Sequence, residues 1–188
     1  FYCSGSSTLV DKYVIYNYDQ DIWYFGTLAR TAWVDSGVRD FPIASTYTNN
    51  LVNHEDGLDN NEGSSVVAID SYISSAQFDL EDGHQFVFVH KMLPDMSFDG
   101  STADSPSVEM SLLPLQSAGS GFNNPLSEGG VNAASVTRTA SVPVEVFTDQ
   151  INVRVRGRQM AIKVQSTDTG VAWQLGSPRI DMRPDGRR

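Results

Sequence analysis

The chain has 188 residues, 13 Lys/Arg against 23 Asp/Glu, and a net charge of −10 at pH 7. Its 40% hydrophobic and 10% aromatic content excludes a disordered chain and fits one domain, or one domain plus a fragment of another. No run approaches the ~18 consecutive apolar residues of a membrane helix, and the acidic balance argues against a surface that coats nucleic acid.

In chain order, the single cysteine, Cys3, excludes an internal disulfide. It reads as a small buried apolar residue or, less simply, as a reactive thiol. The chain begins with Phe1 rather than Met, and its opening is neither a signal nor a transit peptide; it is expected to continue a longer chain. Tyr13, Tyr16, Tyr18, Trp23, Tyr24, Phe25 and Trp33 crowd the first segment. The polar cluster Asn17–Asp21 falls between two aromatic strands. These rings are expected to pack a sheet edge or core; a sugar-stacking platform is the sharper alternative. Residues 56–65, acidic and rich in Gly and Asn, read as a boundary loop.

The second part carries cleaner period-two patterns. A strand over Ala76–Leu80 and a turn at Glu81–His84 lead into the β-branched and aromatic run Gln85–Leu93. Val108, Met110 and Leu112 alternate with Glu109 and Ser111. Residues 116–138 lack pattern and, at that length, read as an extended contact loop. Val142/Val144/Val146, Ile151/Val153/Val155 and Met160/Ile162/Val164 each alternate with polar or non-matching neighbours, and Trp173 and Leu175 flank Gln174. Half-buried antiparallel strands have this period, and no window offers a capped helical stripe. The expectation is an all-β chain built as a sandwich or barrel. Gly157-Arg158 reads as a two-residue hairpin loop that places Val155 opposite Met160 and Val153 opposite Ile162.

Charge is unevenly spread. From Ile151 onward there are eight Lys/Arg and three Asp/Glu, a net +5, while the remainder carries five against twenty, a net −15. Arg154, Arg156, Arg158, Arg179, Arg183, Arg187 and Arg188 are therefore candidates for a subunit or adaptor interface. Arginine binds carboxylates bidentately through its planar fork.

Catalytic and metal signals are thin. His54, His84 and His90 belong to no spaced Cys/His set. Asp56–Glu62 offers oxygen ligands without the alternation of a calcium loop, and a solvated acidic loop is its plainer reading. No G-x-S-x-G elbow or phosphate-binding Gly loop is present. Carboxylate pairs such as Asp70 with Asp79 or Glu81 occur in any acidic β-protein. The sequence therefore points to no cofactor and no enzyme.

Two stretches carry a resemblance. Tyr13-Val14-Ile15-Tyr16-Asn17-Tyr18-Asp19-Gln20-Asp21-Ile22-Trp23-Tyr24-Phe25-Gly26 reads as a propeller-blade hairpin, followed by Thr27–Trp33. Val155–Met160 and Gly170-Val171-Ala172-Trp173-Gln174-Leu175-Gly176-Ser177-Pro178-Arg179-Ile180-Asp181-Met182-Arg183-Pro184-Asp185-Gly186-Arg187-Arg188 resemble the C-terminal end of tail nozzle, or head-to-tail stabilisation, proteins of short-tailed bacteriophages. The resemblance implies an antiparallel β-sandwich platform preceded by the last strands of a β-propeller: propeller strands over 1–55, a boundary at 56–65, and a sandwich over 66–188. It implies a virion protein of the tail, ring-shaped, expected as a hexamer, that extends the DNA exit channel. Its partners would be other copies, a tail adaptor and a tail fibre or tailspike, with DNA only as passing cargo and no membrane insertion. The alternatives are a carbohydrate-binding or depolymerising tail module, and an adhesion or toxin-like β-sandwich.

Overall fold

The computed structural model describes residues 1–80, 83–115 and 140–186. Every regular element among them is a β-strand, and every sheet pairing is antiparallel. The chain divides into two compact units, Phe1–Gly57 with Asn61–Ser65, and Leu58–Asn60 with the chain from Val66 onward.

The first unit opens with a ribbon of β1 (Lys12–Asn17) and β2 (Ile22–Thr27), in which Tyr13 pairs with Gly26 and Tyr16 with Trp23. The turn between them is made by side chains. The Asn17 carboxamide oxygen accepts from the backbone N–H of Asp19 at 3.1 Å and of Gln20 at 3.2 Å, a local turn that Asn is suited to close. Asp21 sits at φ 54°, left-handed backbone that Asp tolerates better than most residues. Gly26 serves a different need: a Cβ there would come within 2.6 Å of the Tyr13 hydroxyl, so only glycine lets that ring lie across the neighbouring strand. A separate sheet of β3 (Ala32–Val34), β4 (Ile43–Ser45) and β5 (Leu51–Asn53) follows, ordered β3-β4-β5.

The second unit contains β6 (Asp59–Asn60), β7 (Val67–Ala68), β8 (Ser71–Ser74), β9 (Val87–Leu93), β10 (Met96–Ser97), β11 (Ser107–Leu115), β12 (Ala140–Glu145), β13 (Ile151–Gly157), β14 (Gln159–Ser166), β15 (Gln174–Leu175) and β16 (Arg179–Pro184). A four-stranded sheet is ordered β12-β11-β14-β8, and a three-stranded sheet β13-β9-β16; β6–β7 and β10–β15 are short two-stranded pairs. One buried apolar cluster takes Val108, Met110, Leu112, Val144, Met160 and Val164 from the four-stranded sheet and Val87, Val89, Met92, Ile151, Val153 and Val155 from the three-stranded one. These are same-parity positions along each run except in β9, where the step from Val89 to Met92 skips a residue, so period two supplies most of both halves of the core. A polar pair sits at its margin, where the Ser111 and Ser141 hydroxyls meet at 2.7 Å across β11 and β12. The Trp173 indole N–H is satisfied by Ser71 Oγ at 2.9 Å.

Several expectations are corrected. The segment Val155–Met160 is no hairpin: Val155 pairs with Val89 in the three-stranded sheet, whereas Met160 pairs with Pro114 in the four-stranded one. Gly157-Arg158 is the crossing between sheets, with Arg158 N–H donating to the Leu115 carbonyl at 2.8 Å. Gly157 supplies closeness rather than a positive φ, since a Cβ would lie 2.9 Å from Pro114 Cβ and 3.0 Å from the Gln159 carbonyl oxygen. Both strands bury an apolar face, and they do so from different sheets rather than side by side. Ala76–Leu80 forms only a bridge between Phe78 and Met160, while the strand lies earlier, at β8. Cys3 is exposed, not buried. Of the ribbon aromatics Tyr13 is half-buried, while Tyr16, Tyr18, Trp23, Tyr24 and Phe25 are exposed instead of packed into a core, with Tyr18 at 88%, Trp23 at 64% and Phe25 at 68%. The loop 116–138 and Glu81 lie outside the described residues.

Candidate functional site

The outward face of the three-stranded sheet gathers most of the candidate arginines. In β9, Val87, Val89 and Met92 point into the core, which turns Phe88 and His90 the other way. Register then fixes their neighbours. Phe88 pairs with Arg156 on one side and Arg183 on the other, so the ring lies in a row between two guanidinium-bearing positions, with strands ~4.8 Å apart.

One step along, the ladder is irregular on both sides. On β13 the pairing jumps from Asn152↔Lys91 to Val155↔Val89, and on β16 from Asp181↔Lys91 to Met182↔Val89. Both irregularities centre on His90. Bulges re-aim side chains and increase twist, and here they open a trough of about 920 Å³ lined by Phe88, His90, Asn152, Val153, Arg154 and Arg183.

The charges in and around this trough differ in their partners. Arg156 pairs with the Asp185 carboxylate and donates to its carbonyl at 3.1 Å. Its guanidinium carbon also stands 4.0 Å from the centre of the Phe86 ring, and that of Arg158 stands 4.9 Å from the same ring, distances at which the ring face attracts a cation. His90 Nε2 lies 3.0 Å from Asp181 Oδ2, and its Nδ1 is buried without a hydrogen-bond partner among the described residues. Arg154 and Arg183 are exposed, and among the described residues neither has an ion-pair partner.

The structure thus brings Arg154, Arg156, Arg158 and Arg183 around Phe86 and Phe88. Arg179 starts β16 at the other end, opposite Leu93, and Arg187 and Arg188 lie outside the described residues. Sequence reasoning missed Phe86, Phe88, His90 and Asn152. The signal for Phe88 was present: it alternates with Val87 and Val89 and so belongs to the opposite face.

The other candidates are dispersed. In the first unit, His54 Nε2 accepts a hydrogen bond from Arg30 Nε at 2.9 Å, and Arg30 also pairs with Glu62 at 3.1 Å. Burial, with the Arg30 charge beside it, holds the His54 pKa below its usual 6.5, partly opposed by Glu62 and Glu55. In the second unit, both carboxylate oxygens of Asp59 accept from the Gly170 N–H, at 2.8 and 3.0 Å. The loop 56–62 therefore spends two of its acids on structural contacts. Asp79 accepts from Gln159 Nε2 at 3.1 Å. Among the described residues no three His, Cys, Asp or Glu side chains are grouped to hold a metal.

No family model matches the chain, and no curated protein is significantly similar to it.

Proposed function

We propose that this chain is a structural component of a short-tailed phage tail, a ring-forming nozzle segment that extends the DNA exit channel and docks other tail proteins. The second unit would be the β-sandwich platform, its two main sheets sharing one core, and the ribbon and three-stranded sheet of the first unit would be the closing strands of a propeller. The observation that carries the reading is the β1–β2 ribbon. Val14, Tyr16, Trp23 and Phe25 line one of its faces and Ile15, Ile22 and Tyr24 the other, all of them exposed. An isolated two-stranded ribbon is marginal in water, and one that is apolar on both faces suits an element set within a larger assembly. The acidic surplus fits a conduit whose walls do not grip passing DNA.

Antibody labelling of purified virions tests this reading: label confined to the tail supports it, and absence of the protein from virions rejects it. The exposed Tyr18 and Trp23 favour a second reading, a sugar-stacking platform of a tail module acting on the host surface. Titration of host surface polysaccharide against tryptophan fluorescence separates the two, since only the second requires a saturable change.

A further inference from the structure

Two surfaces of this chain are complementary to each other. The trough on the three-stranded sheet is lined by Arg154 and Arg183, neither ion-paired among the described residues, together with Phe88. The tip of the β1–β2 ribbon carries the reverse: Asp19 and Asp21 beside Tyr18, which is 88% exposed. Asp21 keeps one carboxylate oxygen on the Tyr16 hydroxyl at 2.7 Å, which leaves the second oxygen for an outside donor.

We propose that the trough is the docking site for the ribbon tip of a second copy of this chain. The carboxylates of Asp19 and Asp21 meet the guanidinium groups of Arg154 and Arg183, and Tyr18 enters the trough against Phe88. Charge complementarity selects this occupant: both arginines of the trough, Arg154 and Arg183, come from the net +5 part of the chain, while the ribbon tip belongs to the residues before Ile151, which total −15. Arginine–carboxylate forks are planar and bidentate, and an exposed tyrosine is a low-entropy anchor for such a contact. The trough volume is within the range of specific binding pockets. Because the two surfaces differ, the contact is heterologous and propagates head to tail, closing into a ring if the rotation allows. This rests on the nozzle reading for its ring and supplies that reading with a contact.

The test uses two full-length variants, Arg154→Glu/Arg183→Glu and Asp19→Arg/Asp21→Arg, followed by sedimentation velocity of each alone and of an equimolar mixture. All four positions are exposed, and circular dichroism confirms that each variant keeps the wild-type fold. Each variant alone is expected to associate at least about tenfold more weakly than wild type. The mixture is expected to regain assembly with the two variants alternating, since every trough then meets a tip of opposite charge. Combining all four substitutions in one chain restores assembly by reversing the polarity of the contact. If either variant assembles like wild type, or the mixture stays monomeric, the contact is overturned. Wild-type rings that survive both variants leave the nozzle reading standing without this contact. Wild-type dimers or filaments that both variants disrupt support the contact and reject the ring. A wild-type chain that is monomeric at all concentrations rejects both.

Discussion

Arg30 and His54 meet through a hydrogen bond that only a neutral imidazole accepts: Arg30 Nε donates to His54 Nε2 at 2.9 Å. The proton of the neutral ring is therefore on Nδ1, and protonation of Nε2 would set two donors against each other. The Trp33 ring packs tilted by 37° against the same imidazole, with centroids 4.5 Å apart, so one histidine ties a strand to the loop that follows β5.

That arrangement has a pH signature. The folded His54 pKa lies below its ordinary 6.5, so between the two values the unfolded chain binds more protons than the folded one, and stability rises with pH. The first unit should lose stability as pH falls below about 6.5 and level off below the folded pKa. His54→Gln, whose amide oxygen still accepts from Arg30 but does not titrate, should flatten that part of the profile. Urea unfolding followed by tryptophan fluorescence at pH 7.5 and 5.5 compares the two; an equal slope in both proteins contradicts the assignment.

Gly157 predicts a steric effect in the second unit. A methyl group there meets Pro114 Cβ at 2.9 Å and the Gln159 carbonyl oxygen at 3.0 Å, backbone and ring atoms with little freedom to yield. Gly157→Ala should destabilise by about 1–3 kcal/mol, read as a lower urea midpoint at unchanged slope. An unchanged midpoint would contradict the close approach at this crossing.

The Ser111–Ser141 pair predicts non-additivity. Ser111 is 9% exposed and its hydroxyl is 2.7 Å from that of Ser141. Ser141→Ala should cost about 1 kcal/mol by leaving the buried Ser111 hydroxyl short of a partner, and Ser111→Ala should cost less, because the exposed Ser141 hydroxyl turns to water. The double variant should cost less than the two singles together, and strict additivity in a denaturation cycle would show that the pair does not couple.

Much of the second unit was legible because its strands bury one face. Ile151, Val153 and Val155 are buried while Asn152, Arg154 and Arg156 are exposed, as alternation dictates. What alternation does not encode is which strand lies beside which. The runs on either side of Gly157 would read identically whether they paired edge to edge or faced one another across a core, so the hairpin expectation failed there. The trough was hidden for a related reason. Its bulges at His90 leave the alternation of β13 undisturbed and appear only in the register with β9 and β16. The arginines were visible as a charge excess, but their convergence on Phe86 and Phe88 required the order β13-β9-β16. In the first unit, aromatic density suggested burial, whereas the ribbon exposes both faces; composition records the side chains but not the partner that would cover them.

The central claim is that this chain builds a closed ring from copies of itself. Mass photometry of the wild-type protein over a concentration and salt series measures that most directly. The account predicts a single oligomer of fixed copy number, expected as a hexamer by family resemblance, that dissociates as added salt screens the arginine–carboxylate contacts. Monomers alone at every concentration, or an open-ended ladder of sizes with no preferred copy number, would contradict it.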